Sequence, residues 1–177
     1  MKIFRYSFEY IFIIILFGLS KLLGYRVASE FGCFIGKTFG PFFRSKKIIQ
    51  NNLIKFDNSL SSEKIINISK KMWCNYGRIL AEYPHISSFR KGNLDQYIKI
   101  ENKEKLEEIK SGQPVVFVSA HFSNFELMAM AIEKAGVNLS AIYRPLNNKM
   151  VNSIMEPLRK KYICKNQIKK GINGVRE

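Results

Sequence analysis

Acidic residues are scarce in this chain. Asp and Glu together number 14 against 29 Lys and Arg, a formal net charge of +15. That imbalance demands an anionic partner: nucleic acid, anionic lipid headgroups, a phosphorylated substrate or an acidic protein. Cysteine is nearly absent too. Cys33, Cys74 and Cys164 are far apart, odd in number and form no CxxC. They exclude a disulfide frame and a clustered metal site, and read as reduced, buried thiols in a cytosol-facing protein. There is no helix-turn-helix or finger signature, which disfavours nucleic acid. Neither a nucleotide loop nor a metal cluster is visible, so no cofactor and no metal are expected. Internal repeats and low-complexity linkers are missing as well. Polar disorder is excluded by a hydrophobic content of 46%, and 177 residues suffice for one domain with an appended helical segment.

What is present begins with an apolar N-terminus. Lys2 and Arg5 precede the run from Tyr10 to Leu19, and Ser20, Lys21, Leu22 and Leu23 follow. Three readings fit: an uncleaved membrane anchor, spanning tilted or partly inserted, a cleaved signal peptide, or a buried soluble helix. The anchor is favoured, because no small-residue cleavage site precedes Gly24. Residues 1–50 hold eight Lys/Arg against Glu9 and Glu30, which suits an anionic membrane surface. Phe31–Phe43 reads as an interfacial turn or short helix. Arg44–Phe56 reads as an amphipathic helix. Ile65, Ile68, Met72, Tyr76, Ile79, Leu80 and Tyr83 mark a helical stripe over Glu63–Tyr83, with Trp73 as packing and Pro84-His85 as the stop. No role falls to His85. Tyr97–Ile100 alternates like a half-buried strand, and Asn102 caps a short helix, Lys103–Lys110, that Gly112 ends.

The chain is organised around Pro114–Pro145. Val115–Val118 is a short β-branched and aromatic run, read as a buried strand. Leu127, Met128, Ala131, Ile132 and Ala135 recur at helical spacing before Gly136, and Asn138–Tyr143 reads as a second strand. Strand, helix and strand make a βαβ unit with parallel strands. His121 and Arg144 then lie past the C-terminal ends of neighbouring strands, where open α/β sheets bind ligands. Asn147 or Asn148 caps a further helix to about Lys161, with Pro157 as a kink or break. Arg144–Arg176 holds nine basic residues and one acid, Glu156.

His121 and Glu126 admit two readings. As a base and its orienter, the imidazole takes a proton from a hydroxyl while the carboxylate steadies the imidazolium. The helix start near Asn124 offers free amides to developing negative charge. Alternatively, Ser123-Asn-Phe-Glu126 is an S-x-x-E capping box in which Glu126 merely receives the amide of Ser123. The readings are compatible.

The hexapeptide His121–Glu126 in its strand–helix setting, followed by Tyr143-Arg144-Pro145, resembles the lipid A biosynthesis lauroyl/myristoyl acyltransferases of Gram-negative bacteria. Their H-x4-E/D box is similar to His121…Glu126, and their Y-R-P segment to Tyr143–Pro145. The general layout extends the resemblance over most of the chain. It implies an α/β fold: a layered sheet with flanking helices, glycerolipid-acyltransferase-like, behind an N-terminal membrane-anchoring helical segment. It also implies a fatty acyl transfer from acyl carrier protein to a hydroxyl of a lipid A precursor. His121 is then general base, Glu126 its partner, and Arg144 a holder of substrate phosphate or the oxyanion, with Ser123 and Asn124 lining the site. The expected location is the bacterial inner membrane, with the catalytic part on the cytoplasmic side. Expected segments are 1–43 as anchor and interfacial segment, 44–95 as helical segment, and 96–177 as a partial acyltransferase domain. Relatives run well beyond 177 residues, so the sheet is expected to be incomplete at the C-terminus and the chain alone poorly soluble or inactive. A phospholipid acyltransferase acting on a glycerol phosphate, and a non-enzymatic basic membrane-anchored binding protein, are the competing functions.

Overall fold

The computed structural model describes residues 2–109 and 114–171. Gly112 and Arg176, both used in the sequence reading, lie outside the described residues. The chain divides into two compact units, one built from residues 1–15 with 85–177 and the other from 16–84. Helix α1, Lys2–Leu23, runs unbroken through the first division. Its composition explains its length, since 22 residues carry no proline and a single internal glycine.

The 16–84 unit rests on helices α2 (Tyr25–Phe39) and α4 (Ser62–Glu82), with α3 (Lys46–Phe56) between them. Of the two readings of Phe31–Phe43, turn or short helix, the helical one holds: it is the second half of α2 and the 3₁₀ turn Gly40–Phe42. The helix persists through its glycines because they meet α4 closely. A Cβ on Gly32 would strike the carbonyl oxygen of Gly77 and the side chain of Ala81, and one on Gly36 the carbonyl of Trp73. The Trp73 ring covers Gly40, in keeping with its expected packing role. So the buried face of α4 runs through Gly77 and Ala81, while Ile68, Tyr76 and Leu80 of the expected stripe stay exposed. Only the two ends of that stripe, Ile65 and Tyr83, are buried.

The same close approach brings Cys33 and Cys74 together as a disulfide, so the expectation of three reduced thiols holds only for Cys164. Polar groups are satisfied across the interface. Ser29 Oγ donates to buried Glu82 (2.7 Å) and accepts from Arg78 Nη1 (2.8 Å), whose Nη2 reaches Glu30.

In the other unit, α5 (Ile86–Arg90), α7 (Glu126–Lys134) and α8 (Lys149–Leu158) enclose a core of Ile86, Phe89, Met130, Ile132, Met155, Ile163 and Cys164. The Arg90 guanidinium and the backbone amide of Lys165 both reach Glu133, and the Lys134 ammonium pairs with Asp95. Helix α6, Glu104–Ile109, forms where a short helix is expected. Tyr97–Ile100 is not a strand: Asp95–Tyr97 is a 3₁₀ turn and residues 98–100 are irregular.

A parallel βαβ unit exists, but one element later in the chain than the sequence reading put it. Strand β1, Ser140–Tyr143, pairs with β2, Asn166–Lys169, in the register Ser140↔Asn166 to Tyr143↔Lys169, and α8 is the crossover. Val115–Val118 forms no strand. Among the described residues it pairs with no strand, and Val116 and Val118 are 88% and 91% exposed. Hydrophobic β-propensity needs a partner edge to become a strand, and β1 pairs only with β2 among the described residues. Among the described residues, the expected layered sheet is present only as this two-stranded piece. Pro157 does not break α8; the helix passes it and widens into a π turn, Arg159–Ile163.

Candidate active site

Glu126 is the first residue of α7 and is buried. The helix starts without a side-chain cap, and Phe125 holds the cap position that the S-x-x-E pattern assigns to Ser123. Ser123 instead adopts a positive φ of 47°, and this turn directs the chain from the irregular segment into α7.

Arg159, from the π turn after α8, reaches the Glu126 carboxylate. Its Nε and Nη2 both donate to Oε1, at 2.9 and 2.6 Å. The side chains are 17% and 11% exposed, so this charge-assisted pair sits largely out of water. His121 is exposed, its ring against Phe125 with centroids 4.3 Å apart. No hydrogen bond joins the imidazole to Glu126. Asn124 is half-buried beside them and Ser123 is exposed.

Arg144 follows the last residue of β1 and is exposed at the C-terminal edge of the sheet. Because Val115–Val118 is not a strand, the geometric reason for putting His121 on that same edge is withdrawn. What the edge does hold is a polar hub around Glu156 of α8. Asn152 Nδ2 donates to its Oε2 at 3.0 Å, while Lys160 and Lys169 approach Oε1 at 3.3 and 3.5 Å. Burial raises the Glu156 carboxyl, but the neighbouring Tyr143 phenol, Lys160, the Asn152 amide and the charge of Lys169 outweigh it and leave it lowered. Tyr143 moves the other way: burial, then the Glu156 carboxylate, push its phenol up to about 12.

Beside α7 lies an open hollow of about 700 Å³ whose walls include Tyr97, Ile98, Phe117, Leu127, Met128 and Ile132. Phe117 is the one residue of Val115–Val118 that turns inward. The hollow is largely apolar and begins one residue beyond Glu126.

Sequence reasoning missed Arg159 and Glu156. Arg159 was hidden among nine basic residues. Glu156 carried a legible signal, as the one acid in that stretch.

The family model for bacterial lipid A biosynthesis acyltransferase matches residues 1–175. The match covers nearly the whole chain, and the chain belongs to that family. Its class is that of an acyltransferase of lipid A biosynthesis, with a lipid A precursor as the substrate the family implies. No curated protein and no solved structure matches the chain.

Proposed function

We propose that the chain transfers a fatty acyl group from acyl carrier protein to a hydroxyl of a lipid A precursor, at the inner membrane and on its cytoplasmic side. His121 is the general base. It takes the acceptor's hydroxyl proton as the oxygen attacks the thioester carbonyl. The tetrahedral intermediate collapses, the carbon–sulfur bond breaks, an ester forms, and the carrier thiol leaves with the proton. Glu126 is the partner that steadies the imidazolium, Arg144 holds an anionic group, and Ser123 and Asn124 line the site.

The observation that carries this reading is the near-complete family match to a chain whose His121 and Glu126 flank a single helix start. Two further observations support it. A largely apolar hollow suited to an acyl chain opens beside the same helix. The apolar α1 and the net charge of +15 fit an anionic membrane and an acidic carrier.

The test uses membranes carrying the full chain, an acyl carrier protein thioester, and either a lipid A precursor or a lysophosphatidate as acceptor. The expected product is a lipid A precursor heavier by one acyl group. His121→Ala should lower the rate by about 10²–10⁴, the usual worth of a general base. Transfer to lysophosphatidate alone, transfer to neither acceptor, or full activity of His121→Ala would each sink the reading.

A further inference from the structure

We propose that α1 lies in the plane of an anionic bilayer surface instead of crossing the bilayer, and that Asn148 ties it to the Arg144–Asn148 loop, holding that loop at headgroup level. This rests on the membrane part of the proposed function and is independent of acyl transfer.

Asn148 is buried and uses both ends of its amide. Its Oδ1 caps α8 by accepting from the amides of Met150 (3.1 Å) and Val151 (3.3 Å). Its Nδ2 donates to the Tyr6 carbonyl (2.9 Å) and to Glu9 Oε2 (3.0 Å). Arg5 Nε approaches the other Glu9 oxygen at 3.3 Å. The second turn of α1 is thus bound to the loop that carries Arg144.

A spanning α1 conflicts with this grip. At 1.5 Å per residue, Glu9 would lie about 10 Å below the start of the helix. That is well inside a hydrocarbon layer about 30 Å thick. Glu9, Arg5 and the irregular loop fastened through Asn148 would have to follow. Irregular backbone facing lipid is not tolerated there, and ionisable groups at that depth are costly.

An in-plane α1 removes the conflict. Phe4, Phe8, Ile11, Ile15 and Leu22 recur at spacings of three, four and seven, and form one exposed stripe along the helix; Phe4, Phe8 and Leu22 are 84%, 72% and 85% exposed. On the opposite stripe, Tyr6, Glu9 and Ile13 are half-buried, while Leu16 and Ser20 are buried. Lys2 and Arg5 in the first turn of α1, and Arg144 and Lys149 at either end of the tied loop, are exposed and complement anionic headgroups.

The test places tryptophan singly at Phe4, Phe8 and Ile15 of the full chain, bound to mixed phosphatidylcholine–phosphatidylglycerol vesicles. Lipids brominated at different depths report position, with the signal of the native Trp73 subtracted. An in-plane helix gives one interfacial depth at all three sites, about 5–10 Å below the headgroups. A spanning helix gives depths that step by up to about 16 Å between Phe4 and Ile15. A second set reads the tie. Asn148→Asp keeps an acceptor for the α8 cap but loses the donor and sets a carboxylate against Glu9. A tryptophan at Leu146 should report headgroup depth in the parent, lose it in N148D, and recover it in N148D/E9Q, where a glutamine amide can donate back. Stepped depths, or an unmoved Leu146 probe in N148D, overturn the proposal alone. Failure of the parent chain to float with the vesicles overturns the membrane reading and this inference together.

Discussion

Replacing Arg159 by Met should loosen the unit built from residues 1–15 and 85–177 more than any surface change. The substitution fills much of the same space and takes both guanidinium donors from a carboxylate whose side chain is 11% exposed. Removing one partner of a buried ion pair costs about 3–5 kcal/mol, because the remaining charge stays desolvated. The residual exposure of both side chains puts the lower figure, about 3 kcal/mol, as the estimate here. Hydrogen exchange is the suitable assay, since two compact units need not unfold as one transition. Slow-exchanging amides of α7 and α8 should lose about 10²-fold in protection, at 1.4 kcal/mol per factor of ten. Arg159→Lys keeps the charge without the two-donor fork and should fall between wild type and Met. The pair Glu126→Leu with Arg159→Met should recover most of the loss, because an apolar pair of similar volume needs no compensating charge. A loss under about 1 kcal/mol in R159M, the range of an exposed pair, would show that the pair is not desolvated as described.

Three further outcomes follow from the packing and charge. Gly77→Val drives a side chain into the carbonyl of Gly32 and should destabilise the 16–84 unit by at least about 1–3 kcal/mol, read as a lower urea midpoint by Trp73 fluorescence. The Glu156 carboxyl is lowered on folding, so its stabilisation is present above the unfolded value of 4.5 and is lost as pH falls through the folded one. Glu156→Gln should flatten the acid side of the exchange-protection profile of α8; an unchanged profile refutes that linkage. Tyr143 is raised from 10.0 to about 12, so the folded state keeps a proton that the unfolded chain releases in that window. Stability present below pH 10 is lost between 10 and 12, and Tyr143→Phe should remove that component in alkaline unfolding.

Local signals carried the helices. The periodic residues of α7 end at Gly136, whose φ of 92° suits only a residue without a side chain, and the expected cap of α8 is Asn148. Both features depend on neighbours within a few residues. What escaped depends on long-range partners. Strand Ser140–Tyr143 was legible, but its mate Asn166–Lys169, a polar NQIK run in a basic stretch, carries no hydrophobic alternation. Val115–Val118 has a strong β-branched and aromatic signal but no mate among the described residues. The α2–α4 interface escaped for a related reason. Glycine and alanine bury little apolar area, so a face built of Gly32, Gly36, Gly77 and Ala81 is silent to a hydrophobic stripe, whereas backbone proximity makes it the tightest contact of its unit. Within the candidate site, the H-x4-E spacing located Glu126 at a helix start but could not reveal an arginine partner 33 residues away.

Charge pairing sorts the basic residues of the sheet edge into two kinds. Arg159 is committed to Glu126, and Lys160 and Lys169 converge on Glu156. Their three positive charges face two carboxylates of the same unit and are largely offset, so they order the edge more than they attract an external anion. Arg144 stands apart: it is exposed and forms no ion pair among the described residues. An uncompensated guanidinium at the C-terminal end of a parallel strand can grip phosphate or an oxyanion with two donors at once. That supports the anion-holding role proposed for Arg144. It also predicts a contrast: Arg144→Gln should weaken acceptor binding without lowering the exchange protection of α7 and α8, the reverse of R159M before any effect on chemistry. Loss of protection in R144Q, or acceptor affinity unchanged from wild type, would move Arg144 into the first, structural kind.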